Sequence, residues 1–140
     1  MTNRILTNYT DWNYFGRDLQ FTIIIAPIIK ELFEDIKKNR LEKIMNIGAE
    51  SFEHICEYVY GEYNFGSFIQ TMDYWLAESN FQFRHLLIGN SDKYLITHGN
   101  GTNFSNFILH VFSSNVEKMG YVIKDSKIED KKIAFTIQKV

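Results

Sequence analysis

The sequence predicts an α+β domain, a helical N-terminal half packed on a mainly antiparallel sheet of about five strands. Three observations carry that reading. Apolar residues recur at helical spacing between Pro27 and Leu76; the period shortens to that of strands at Phe81; and it turns helical again over Asn103–Met119, before two closing strands. The resulting order, β-α-α-α-β-β-α-β-β, segregates helices against a sheet.

Residues 1–18 mix Asn, Thr, Tyr and Trp without a period and read as irregular. Leu19–Ile25 is rich in β-branched residues and ends at Ala26-Pro27, so a strand is expected over 20–25 and a helix from Pro27, the proline being welcome only at a helix start. In that helix Ile28, Ile29, Leu32, Phe33 and Ile36 share one side, and Lys30, Glu31, Glu34 and Asp35 the other. After Asn39-Arg40, Leu41, Met45, Gly48, Phe52, Ile55 and Val59 form a heptad-like stripe that Gly61 stops. Glycine costs about 1 kcal/mol inside a helix relative to alanine. Gly48 therefore marks either a close crossing of another element or the end of one helix before the next.

Ser67-Phe-Ile-Gln70 fits a capping box, opening a helix with Phe68, Ile69, Met72, Trp75 and Leu76 inward. Phe81–Ile88, a turn at Gly89-Asn-Ser-Asp92, and Lys93–His98 read as a hairpin. An amphipathic helix over 103–119 buries Phe104, Phe107, Ile108, Val111 and Phe112, and stops at Gly120. Tyr121–Lys124 and Lys132–Gln138 are the closing strands. No repeat, low-complexity segment or linker divides the chain, so residues 1–140 are expected to form one domain.

Composition narrows function by exclusion. The 140 residues carry a net charge of −2, which disfavours a general nucleic-acid binder. One cysteine, Cys56, leaves no internal disulfide and no cysteine zinc cage. The most apolar run, Phe21–Ile29, falls well short of the roughly 20 residues a bilayer span needs, so no membrane is expected. No secretory pattern opens the chain, and the expected location is cytoplasmic. Phosphate-loop, dinucleotide, zinc-protease and nucleophile-elbow motifs are all missing, and no cofactor or metal is expected. Charge is nonetheless uneven. No Lys or Arg falls between Lys43 and Arg84, where Glu50, Glu53, Glu57, Glu62, Asp73 and Glu78 lie, whereas the segment from Phe81 is net basic.

Among the histidines, His54 and His110 fall on polar helix sides and read as surface residues. His85 and His98 sit on the hairpin. A turn centred on Asn90-Ser91 sets His85 opposite Ile96 and His98 opposite Phe83, which makes the two imidazoles diagonal neighbours on an apolar face. They are either neutral, half-buried and bonded to backbone, or they face a pocket and bind a ligand. With no carboxylate on that face they make a poor metal site.

The segment His98-Gly-Asn-Gly-Thr-Asn-Phe-Ser105 leaves a strand, passes two glycines and enters a helix. Helix starts present unpaired N–H groups and partial positive charge, which suit an anion. His98, Gly99, Gly101, Thr102 and Ser105, with His85, are thus the candidate ligand-binding residues. The plainer alternative is local: Asn100 or Thr102 caps the helix and the glycines turn the chain.

The run Tyr94-Leu-Ile-Thr-His98-Gly-Asn-Gly101-Thr-Asn-Phe-Ser105, followed by Gly120 and two strands, resembles small uncharacterised archaeal proteins. They share a strand–His-x-x-Gly-x-x-x-Ser–helix–strand–strand pattern behind a helical half. Phe104 stands where that pattern has a tryptophan. The resemblance implies architecture and no reaction.

Three functions remain open. The leading one is a non-enzymatic cytoplasmic ligand-sensing or protein-interaction module with a small-anion site at residues 98–105. The others are an enzyme with His98 as general acid/base and Ser105 or Thr102 orienting substrate, and a nucleic-acid-associated regulator with a basic stripe drawn from Arg84, Lys93, Lys124, Lys127, Lys131 and Lys132. A homodimer is also expected, because Ile5, Leu6, Tyr9, Trp12, Tyr14 and Phe15 form an apolar cluster outside the periodic elements.

Overall fold

The computed structural model describes residues 24–140, together with Leu19 and Thr22. The irregular segment 1–18 and its aromatic cluster lie outside the described residues, as does most of the strand expected over 20–25. Of that strand, Thr22, Ile24 and Ile25 are described and none is in a strand. The described sheet therefore has four strands rather than about five.

Among the described residues four helices and four strands follow one another. They are α1 (Ala26–Glu34), α2 (Lys38–Tyr60), α3 (Phe65–Glu78), β1 (Gln82–Ile88), β2 (Ser91–Thr97), α4 (Thr102–Lys118), β3 (Tyr121–Ile128) and β4 (Lys132–Lys139). Pro27 opens α1, and Ile25 before it is extended (φ −67°, ψ 132°), as a residue close ahead of a proline-started helix should be. No described helix is long and apolar enough to cross a membrane.

α2 is continuous through Gly48 and ends at Gly61, whose φ of +74° lets its N–H reach the Glu57 carbonyl. Gly48 marks a close crossing: a Cβ placed there would lie 2.7 Å from Cε2 of Phe107 on α4. The cap of α3 falls three residues earlier than Ser67. Asn64 is the N-cap, its side chain accepts from the Ser67 N–H, and the Ser67 hydroxyl accepts from the Asn64 N–H. Asparagine serves as well as serine at an N-cap, so the reciprocal pair forms at 64/67 rather than at 67/70.

The sheet is antiparallel throughout, in the order β1-β2-β4-β3. The hairpin turn is the two-residue Gly89-Asn90, with Gly89 at φ +62°. A two-residue hairpin loop favours glycine at its first position, which places the turn one residue earlier than Asn90-Ser91. His85 consequently pairs with Tyr94 and not with Ile96, and His98 lies beyond the end of β2. The two histidines share a side of the sheet but are not diagonal neighbours. β3 continues past Lys124 by a bulge before Lys127, with Asp125 at φ +52°.

All four described helices lie on one side of the sheet. Tyr94, Ile96, Ile133, Phe135 and Ile137 point into the core, where they join Phe68, Met72 and Leu76 of α3 and Ile108, Val111, Phe112 and Val116 of α4. Each such side chain, once buried, contributes about 1.5–3 kcal/mol of apolar burial. The alternate strand residues face the other way, and no described helix covers them.

Candidate functional site

Three places carry the functional residue types: the carboxylate–imidazole cluster under α3, the loop into α4, and the uncovered sheet face.

The cluster centres on His85. Its Nδ1 lies 2.8 Å from Oδ2 of Asp73 on α3, and its Nε2 lies 2.6 Å from Oδ2 of Asp92 on β2. The Tyr94 hydroxyl donates to Oδ1 of Asp73 at 2.6 Å, and the Tyr94 ring stacks on the imidazole at 4.3 Å. Hydrogen bonding to Asp73 raises the His85 pKa above 6.5 despite burial, and Asp92 adds to the effect. Burial and the neighbouring Asp73 push the Tyr94 phenol well up, so it stays a donor. Both ring nitrogens are engaged by carboxylate oxygens, so neither is turned toward a ligand. The cluster ties α3 to the hairpin.

This corrects two expectations about the hairpin face. A carboxylate does lie on it, because the observed register brings Asp92 to the inward side, and His85 is bonded to two carboxylates rather than to backbone. Asp73 had no sequence signal linking it to His85. The acidic stretch around it read as a solvated face, and only the α3–β1 packing joins the two.

At the loop into α4, His98 Nδ1 accepts the Asn100 N–H at 2.8 Å, so its proton sits on Nε2 and points to Ser105 Oγ at 2.7 Å. The Ser105 hydroxyl donates in turn to the Glu129 carbonyl at 2.7 Å. Desolvation lowers the His98 pKa to about 4. The imidazole is thus a neutral brace among β2, α4 and the β3–β4 loop. Among the described residues no carboxylate hydrogen-bonds to it, and Ser105 is fully buried.

The neighbouring helix start is different. The N-cap of α4 is Gly101 (φ +93°), with no side-chain cap, so neither Asn100 nor Thr102 plays that part. A cleft of about 300 Å³ opens beside it, lined by Lys30, Phe33, Glu34, Gly99, Gly101, Thr102, Asn103, Asp130 and Lys131. Of the predicted site residues, Gly99, Gly101 and Thr102 line this cleft, whereas His85, His98 and Ser105 do not.

The uncovered face joins residues that are far apart in the chain. Arg84, Leu86 and Ile88 of β1 stand beside Lys93 and Leu95 of β2; Lys132 and Ala134 of β4 stand beside Lys124 and Lys127 of β3. Five of the six residues proposed for a basic stripe therefore share one surface, and Lys131 lies in the loop beyond it. Glu129 reaches Lys127 and Lys132 at 3.5 Å each. Among the described residues no carboxylate pairs with Arg84, Lys93 or Lys124. Among the described residues the face carries no aromatic side chain.

The chain matches no family model, no curated protein and no solved structure.

Proposed function

We propose that this protein is a non-enzymatic cytoplasmic interaction module that docks an acidic, aliphatic-rich protein segment on its uncovered sheet face. The observation that carries the reading is the gathering of Arg84, Lys93, Lys124, Lys127 and Lys132 on one helix-free surface of a chain whose net charge is −2. Complementary charge steers encounter and fixes register. Leu86, Ile88 and Leu95 interleave with the cations and offer apolar contact that phosphates do not use. Binding of single-stranded nucleic acid leans on stacking aromatics, and the described residues of this face include none. A catalytic reading has little support, since both nitrogens of His98 are engaged and Ser105 is sealed.

Fluorescence anisotropy tests this with a labelled peptide alternating glutamate and leucine, beside a single-stranded oligonucleotide of equal charge. Peptide binding that weakens with salt and is lost in a Lys93→Glu/Lys124→Glu variant of unchanged melting temperature supports the reading. Absence of peptide binding at low salt, or tighter binding of the oligonucleotide, overturns it.

A second reading is a small-anion site at the start of α4, the uncapped N–H groups acting with Lys30 and Lys131 around the cleft. Inorganic phosphate should then raise the melting temperature, and a Lys30→Ala/Lys131→Ala variant should lose that shift.

A further inference from the structure

We infer that β1 is a homodimer interface, in which the strand pairs antiparallel with β1 of a second copy and extends the sheet across a twofold axis. This inference is independent of the docking reading, because it rests on the sheet edge and not on the cations.

Among the described residues the edge is open in its backbone. Ile88 and Ser91 flank the two-residue turn and so form a hydrogen-bonded pair, and such pairs recur at Leu86↔Lys93, Arg84↔Leu95 and Gln82↔Thr97. The residues between them, Phe83, His85 and Leu87, direct their N–H and C=O groups away from β2. No described backbone group bonds to them there. Exposed apolar side chains concentrate on the same strand: Leu86, Leu87 (75% exposed) and Ile88 (57%). The opposite edge, β3, is guarded by its bulge and by Lys124 and Lys127, devices that discourage pairing. β1 has no bulge, no proline and a single charged edge side chain, Arg84, besides the half-buried His85.

A second copy fits this edge by self-complementarity. Pairing about His85 sets Phe83 opposite Leu87 of the other copy, so all three free residues of each strand engage in about six backbone hydrogen bonds. Leu87 then covers Phe83 of the other copy. The two His85 side chains meet among four carboxylates, Asp73 and Asp92 from each copy, which offset their charge. The axis stands perpendicular to the sheet, as in isologous dimers built by strand addition, and lays both cation-bearing faces on one side.

Light scattering and amide hydrogen exchange test this on the full chain at a concentration on the order of 100 µM, where a dimer of less than standard interface size still forms. The expected mass is twice the 16.5 kDa of one chain, with protection at the amides of Phe83, His85 and Leu87 that rises with concentration. Leu87→Lys should halve the mass at unchanged circular dichroism. Leu87→Pro should do the same, since that N–H makes no bond to β2. A wild-type mass of one chain overturns the inference, as does a Leu87→Lys chain that stays dimeric. So does protection that is independent of concentration and vanishes on deleting residues 1–23, for then the chain's own N-terminal segment occupies the edge.

Discussion

His85 and His98 sit on the same side of the hairpin and have opposite electrostatic fates. His85 gains two carboxylate partners and its pKa rises, so its contribution to stability is complete below 6.5 and is lost as pH rises through the folded-state value. His85→Leu leaves Asp73 and Asp92 without their shared donor and should cost about 1–3 kcal/mol. Urea melts at successive pH values should show that penalty shrinking as the wild type loses its proton. His98 is depressed to about 4, so the unfolded chain binds a proton below 6.5 that the folded chain refuses. Its share of stability is present above 6.5 and drains away as pH falls toward 4. His98→Gln should flatten the acid limb over that window, and an acid limb identical to the wild type's would contradict the brace. The sequence alone singled out both residues but not their roles. Asp73 lies 12 residues from His85, and the Glu129 carbonyl that anchors His98's partner Ser105 lies 24 residues from that serine, separations that no local pattern reveals.

At the scale of elements, the reading from sequence was good where one side of an element is buried and weaker where a turn decides. The alternation of Ile133, Phe135 and Ile137 reflects a single buried side and appears as expected; on α2, Leu41 and Phe52 of the stripe are buried, together with Ala49 and Cys56 beside it. The hairpin register differed by two residues because a two-residue and a longer loop are both compatible with Gly89–Asp92. A two-residue shift preserves the sides, so the inward position of His85 was legible while its neighbours were not. Gly48 is the element-scale test. Gly48→Val must displace the Phe107 ring, which packs against Phe33 and Phe104, and should lower stability by about 1–3 kcal/mol. Gly48→Val combined with Phe107→Ala should recover part of that loss, as a double-mutant cycle would show. Additive losses would mean that the two helices do not meet at this point.

At the scale of the molecule, the chain separates its charge: the helical segment from Ile44 to Phe83 has no Lys or Arg, and the far side of the sheet carries Arg84 and four lysines. The sequence supplied the stripe's members, and the sheet order supplied their convergence, because β4 inserts between β2 and β3 and brings Lys132 beside Lys127. All four described helices pack on the other side, and no described element covers that face. Amide chemical-shift mapping during titration of the uniformly labelled protein with the glutamate–leucine peptide tests this most directly. The account expects salt-sensitive shifts at Arg84, Lys93, Leu95, Lys124 and Lys127, with α2 unmoved. Shifts confined to Gly99–Phe104 or to α2, or none at low salt, would contradict it.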